Sequence, residues 1–436
     1  MQRIELVEPR GAAECQLRKA AYLWNWENLA MRYAKPLLFG AFVFSLAALA
    51  LMAPTRAAAC PFCSAPSLTL SEQYAKADAA ILGQWISGEM ATKDRLGSTT
   101  YEIVQVARTP FKSAENGKAE NGKAVEKGKQ ITLERYRAGK KGDLSLLLGS
   151  RSKGESIEWG SPLDVSAASY NYIVEAPSQE TKPEQRLTYY LKYLENSDRL
   201  VADDAYSEFA NAPYKNIVPL ANQFPRESLR KWLLSPDVPA TRTGLYGLML
   251  GLCGSADDAP LMQAKIMESG QDFRLGIDGV MGGYLMLTGE KGLAEIEKSK
   301  LQDKQVAFSE TYAAMQALRF LWSHGEGRIS GERLKTSMRL LLDRPEVADL
   351  VIGDLTRWKD WSIQARLMEL YGADEYNIPS LKRAIIRYMI ASTKDVPAGG
   401  GDTTPRHATE GARYLEELRN KDAKMVNDAE RFFFLQ

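Results

Sequence analysis

Arg242-Thr-Gly244-Leu-Tyr-Gly247-Leu-Met249 recurs 32 residues later as Arg274-Leu-Gly276-Ile-Asp-Gly279-Val-Met281, with the arginine, both glycines, two aliphatic positions and the methionine at matched places. Residues three apart share one face of a helix, so paired glycines there leave a smooth stripe that a second helix can approach closely. Each glycine costs roughly 0.5–1 kcal/mol against alanine inside a helix. A close contact is therefore expected to offset Gly244, Gly247, Gly276 and Gly279. Thr311-Tyr-Ala-Ala314 continues the small-residue pattern 35 residues beyond Gly276.

Helical periodicity spreads outward from this pair. Leu187, Tyr190, Leu191 and Leu194 fall at i, i+3, i+4 and i+7. The spacing predicts helices at 184–196, 199–211, 226–234, 240–253, 257–268, 273–287, 290–299, 309–323, 330–342, 346–357, 361–371 and 378–392. Short helices with short Pro-, Gly- and Asp-bearing links make antiparallel pairs. A step of about 30–45 residues per pair belongs to stacked helical repeats. In this respect 178–393 resembles HEAT repeats. Asp360 and Arg366 have the spacing at which those repeats place a turn aspartate and an arginine of the second helix, whereas Asp237/Arg242 and Asp272/Arg274 depart from it. The resemblance implies an extended concave surface for a protein or peptide and specifies no ligand.

Upstream, apolar residues come in strand-length groups at 80–86, 100–106, 130–136, 144–148 and 170–174, the second and third alternating with period two. The fold class expected is therefore α+β and multidomain: a small N-terminal β-barrel or sandwich over 60–177, then an all-α HEAT-like helical repeat array over 178–393. A flexible segment and terminal helix are expected at 394–436. Cys60/Cys63, Asp78-Ala-Ala-Ile-Leu-Gly83, Tyr101-Glu-Ile-Val-Gln-Val106 and Leu146-Leu-Leu-Gly149 loosely resemble the netrin-like, OB-type domain of tissue inhibitors of metalloproteinases. There the first cysteine chelates the target's zinc, which gives one alternative role for Cys60. The CxxC spacing and the missing further cysteines depart from that family. Within this region 114–123 is a tandem Ala-Glu-Asn-Gly-Lys duplication, expected to be a solvated loop. Arg135, Arg137, Lys140 and Lys141 read as solvated surface.

Residues 37–52 form a 16-residue uncharged apolar run, preceded by Arg32 and Lys35 and followed by Ala57-Ala-Ala59. This reads as a secretory signal, with 1–59 a leader and Met31 the expected start of translation. An uncleaved anchor is the second reading, because a spanning helix needs about 20 apolar residues. Sequencing the native N-terminus decides whether translation starts at Met31. Of the four cysteines, Cys15 falls in the leader and Cys253 in an apolar helical stretch. Cys60-Pro-Phe-Cys63 admits a thioredoxin-like redox pair, a zinc site or a lipidated Cys60, whereas haem attachment would need histidine after the second cysteine, where Ser64 stands. The reading adopted is a short disulfide pinning the mature N-terminus, as an oxidising compartment permits. The mature chain also resembles exported bacterial proteins that open on this CPFC stretch, a likeness that implies no activity.

Composition narrows the chemistry. The chain of 436 residues carries 56 basic and 55 acidic side chains. Residues 1–59 hold seven of the former and four of the latter, so the remainder stands at −2. No clustered positive excess points to nucleic acid. Only His324 and His407 occur, and no GxSxG, HExxH or phosphate-loop sequence is present. The expectation is a non-enzymatic exported protein without cofactor or metal, periplasmic or secreted. Its partner would be a protein or peptide of the cell envelope, and it would touch a membrane only through an uncleaved signal or a lipidated Cys60. Arg357, Trp358 and Trp361 are the candidate partner anchors, since Trp and Arg dominate binding hot spots, with core packing of adjacent helices as the competing reading. Asp198, Asp203 and Asp204 lack calcium-loop spacing, and a capping role is expected for Asp198.

Overall fold

The computed structural model describes residues 60–63, 68–109, 125–152, 156–268, 273–397 and 404–433. The leader expected at 1–59, with its apolar run at 37–52, and the tandem duplication at 114–123 lie outside the described residues. Contacts divide the chain after Ala57, and everything described belongs to the unit Ala58–Gln436. None of the described helices is long and apolar enough to cross a membrane.

A short helix, α1 (Leu70–Lys76), opens the sheet region behind a capping box in which Thr69 and Glu72 bond each other's backbone N–H. Six antiparallel strands follow: β1 (Ala79–Glu89), β2 (Ser98–Arg108), β3 (Gln130–Leu133), β4 (Leu144–Arg151), β5 (Ile157–Trp159) and β6 (Leu163–Asp164). Their order is β3-β2-β1-β4-β5, with β6 also paired to β4. Bulges shift the β1/β2 register at three places, and such irregularities increase twist and bend a strand. The result is a curled antiparallel sheet, a half-barrel. Arg135 spans its open side, bonding the Trp159 carbonyl (2.7 Å) and Ser161 Oγ (3.0 Å), while Arg137 bonds the Pro162 carbonyl at 2.7 Å. Arg135 is exposed and Arg137 half-buried, so the basic patch is surface as expected, and these two arginines also bond the segment from Trp159 to Pro162.

Period two divides the sheet's faces. Ile81, Tyr101, Ile103, Leu133 and Leu147 fill the inside of the curl. Their neighbours Leu82 and Leu146 point the other way, into one core that continues through the helices to Ala429. The last expected strand, 170–174, is instead helical. Ser166 caps α2 (Ala167–Glu175) through a box with Ser169, and this local cap outweighs the strand preference of Tyr170, Tyr172, Ile173 and Val174.

Helices then run to the C-terminus: α3 (Pro183–Leu191), α4 (Arg199–Asn211), α5 (Tyr214–Ile217), α6 (Arg226–Leu234), α7 (Thr243–Cys253), α8 (Ala259–Met267), α9 (Ile277–Thr288), α10 (Glu290–Ile296), α11 (Phe308–His324), α12 (Gly331–Arg339), α13 (Pro345–Arg357), α14 (Gln364–Gly372), α15 (Pro379–Lys394), α16 (Arg406–Lys421) and α17 (Ala423–Phe433). From α7 onward alternate helices are neighbours: α7 packs on α9, α9 on α11, and α13 on α15, with the even-numbered helices packed against them. Polar contacts repeat at a similar step. Tyr172–Asp204, Arg226–Asp258, Arg274–Glu310, Arg319–Asp354 and Arg333–Glu297 are hydrogen bonds between residues 32 to 36 apart. The stretch after 394 holds two helices, with Leu415, Leu418, Val426 and Ala429 buried in the common core.

Candidate functional site

Cys60 and Cys63 form a disulfide. Cys60 is buried and its N–H donates to the Ala210 carbonyl at 3.2 Å. A sulfur engaged in that bond cannot also carry a thioether lipid. The turn between the cysteines projects Phe62 into the helical array, where its ring lies 4.8 Å from that of Phe320. Two glycines make the room. A Cβ on Gly244 of α7 would stand 2.6 Å from the Phe62 carbonyl oxygen, and one on Gly282 of α9 would stand 2.7 Å from its ring. Tyr214 and His324 complete the surroundings, Tyr214 meeting Phe320 edge-on and His324 tilted against both rings. His324 ends α11, but burial holds its pKa below the usual value, and this outweighs the favour a helix C-terminus lends to a cation. Cys253 is a free, half-buried thiol that burial raises to about 11, so it stays protonated at neutral pH.

The glycine stripes of the quoted repeat face one another. A Cβ on Gly247 would lie 2.6 Å from Val280 Cα, one on Gly279 would strike the Gly244 backbone, and Gly251 and Gly283 meet backbone to backbone. Gly276 additionally has φ +78°, a conformation that favours glycine. Arg242 is buried, with bonds of 2.6 Å to Glu195 and to Asp203 and one of 3.1 Å to the Leu194 carbonyl. Arg274 bonds Glu310 and the carbonyls of Lys265 and Ile266 at the end of α8. Both arginines hold helix ends and acids in place.

Both candidate tryptophans also make contacts between elements of the helical region. Trp358 is buried and stacked face to face on Trp322, centroids 4.4 Å apart. Trp361 is half-buried and donates its indole N–H to Asp395 Oδ2 at 2.7 Å, with His407 stacked on it. Arg357 is exposed and pairs with Asp354. Asp360 is gripped by Arg339 at 2.6 and 2.9 Å, whereas Arg366 turns to Asp343 and Glu369.

Among the aspartates, Asp198 caps α4. Asp204 ties α1 to the array, accepting from the Leu70 N–H (2.7 Å) and the Tyr172 hydroxyl (2.8 Å). Burial raises its pKa to about 6 despite both bonds. A raised carboxyl contributes stability that is full below its unfolded pKa and lost as pH rises through about 6. Relative to Asp204→Asn, the wild type is therefore expected to lose roughly 2 kcal/mol between pH 4 and pH 7. Urea unfolding of both proteins across that range checks it, and parallel pH profiles would contradict it.

Two surfaces were not marked by any motif. Phe273 is 70% and Phe308 48% exposed; Phe273 precedes α9 beside Arg274, and Phe308 opens α11 two residues before the ion-pair partner Glu310. Their 35-residue separation matches the step of the array, and that was their one signal in the sequence. The second surface is a cavity of about 380 Å³ between the curled sheet and the first helices, lined in part by Trp85, Tyr101, Arg137, Asp143, Asp164 and Asp198. Strand register assembles it, placing Trp85 opposite Tyr101 and Ser145 opposite Asp164. Residues so dispersed leave no local spacing to read.

These features define an α+β protein in which a curled antiparallel sheet leads into a long array of paired helices. Compared with protein-family models, curated proteins and solved structures, the chain finds no match.

Proposed function

We propose that this is an exported, non-enzymatic binding or scaffold protein whose helices form a HEAT-like solenoid holding a protein or peptide partner. The observation that carries the reading is the pair of exposed aromatics, Phe273 and Phe308, set one repeat step apart on a rigid, ion-paired edge. Large apolar side chains presented in register on a fixed frame suit partner binding. Both alternatives for the cysteine pair need Cys60 open to its surroundings, and its burial and its bond to Ala210 count against them. Export agrees with the disulfide and with the apolar run at 37–52.

The test compares the mature wild type with a Phe273→Ser/Phe308→Ser double variant as bait in an envelope extract. Both exposed positions should tolerate serine with stability changed by no more than about 0.5 kcal/mol each. Proteins retained by the wild type should fall at least about tenfold with the variant. An unchanged set and amount of retained protein would refute this edge as the binding surface.

A further inference from the structure

We infer that the face shared by α11, α13 and α15 seats an acidic peptide segment of the partner, held by Arg383 and Arg387. The inference rests on the reading of the helices as a partner-binding array, and it shares no residue with the Phe273/Phe308 edge.

The step of the array sets the three helices in line. Arg319 of α11 donates to Asp354 of α13 at 2.7 Å, 35 residues on, and Trp322 stacks on Trp358. The Tyr376 hydroxyl donates to the Leu342 carbonyl and the Trp361 indole to Asp395, each across 34 residues, and α13 packs on α15. A step of that size carries Arg319 to Gly353 of α13 and on to Arg387 of α15. These three half-buried positions therefore stand abreast on successive helices. A Cβ on Gly353 would meet only the far end of Arg357, so the backbone between the two arginines is open. Leu350, one turn before it, is 39% exposed and adds an apolar floor.

Charge gives the face its sign. Elsewhere in the array Arg226, Arg242, Arg274, Arg333 and Arg339 each hold a carboxylate. Arg383 and Arg387 lie one turn apart on one side of α15, and among the described residues neither guanidinium has an ion-pair or hydrogen-bond partner. The Arg387 Nε is buried without an acceptor, where such donors are normally bonded. The neighbouring acids are already engaged. Asp354 is shared by Arg319 and Arg357, Glu346 is held by buried Arg344, and Asp349 accepts from the Leu350 N–H. A positive excess remains, and guanidinium forks match carboxylates two bonds at a time. Packed helices lie about 8–10 Å apart, a distance that an extended chain covers in about three residues. Carboxylates at every third residue would meet successive helices.

The experiment titrates a fluorescein-labelled peptide of repeating Glu-Gly-Ser, and its Gln-Gly-Ser analogue, with the mature protein and follows anisotropy. The Glu peptide should bind with a Kd below about 100 μM, and the Gln peptide at least about tenfold more weakly. Arg383→Gln/Arg387→Gln should lower affinity for the Glu peptide about tenfold while melting at a temperature close to that of the wild type. Arg366→Gln, whose guanidinium is spent on Asp343 and Glu369, should leave affinity unchanged. Absence of binding at about 1 mM protein would overturn the inference. So would equal affinity for the Gln peptide, undiminished affinity in the folded double variant, or an equal loss in Arg366→Gln. Tighter binding of labelled oligothymidylate or of phosphatidylglycerol vesicles than of the Glu peptide would overturn it as well. Retention of extract proteins through Phe273 and Phe308 is read separately, so failure here leaves that edge standing and its failure leaves this face standing.

Discussion

Phe62→Ala is expected to destabilise the protein by about 3–5 kcal/mol, the range for a fully buried phenylalanine. Phe62 is 7% exposed although it belongs to a turn that precedes the sheet. Its pocket is walled by helix backbone at Gly244 and Gly282 and by the ring of Phe320. Glycines have no side chain to swing into the void, so the cavity left by truncation cannot collapse, and the cost should fall high in the range. Phe273→Ala, on the exposed edge, serves as the comparison and should change stability by no more than about 0.5 kcal/mol. Urea unfolding of both variants provides the measurement. A Phe62→Ala loss below about 1 kcal/mol would mean that the turn is not part of the core.

Gly251→Ala and Gly283→Ala should each destabilise by about 2–3 kcal/mol. In an open helix the same change is favourable by about 0.4–1 kcal/mol, because alanine has less freedom to lose on folding. Here the added methyl has nowhere to go. At Gly251 it would fall on the Gly283 backbone, and at Gly283 on the Gly247 carbonyl. No side-chain rotation relieves a clash with backbone, so α7 and α9 must move apart. Gly353 supplies the internal control. It lies within α13, and a Cβ there would meet only the far end of Arg357, at 3.8 Å. Gly353→Ala should therefore stabilise by about 0.4–1 kcal/mol. Thermal or urea melts of the three variants should split by sign, and a common sign would contradict the close helix approach.

Legibility in the sequence followed the range of the interaction. Helices from 183 to 394 could be read within a few residues because apolar periodicity, prolines and turn residues act locally. The strands at 79–89, 98–108, 130–133 and 144–151 were legible for the same reason. Residues 170–174 were not, because their β-rich composition yields to the Ser166/Ser169 cap one turn upstream. The CPFC pair could be read as a staple, but nothing near it in sequence shows that Phe62 fills a socket made by residues about 180 to 260 positions later. Trp358-Lys-Asp-Trp361 can be read as a partner anchor or as core packing of adjacent helices, and the local sequence does not choose between them. In the fold Asp360 is paired with Arg339 of α12, Trp358 is buried against Trp322, and Trp361 is half-buried with its indole N–H on Asp395. The cavity residues come from separate strands and helix ends, and only register brings them together.

The central claim is that the Cys60–Cys63 turn is a buried staple of one cooperative unit and does no thiol chemistry of its own. Its most direct test is the rate at which reduced glutathione opens this disulfide in the folded protein, followed by mass-mapped alkylation of Cys60 and Cys63 across a urea series. The account predicts negligible opening without urea, then opening that rises in step with global unfolding. Rapid reduction in native buffer, with the helical signal and the urea midpoint unchanged, would contradict it and favour a redox role for the pair.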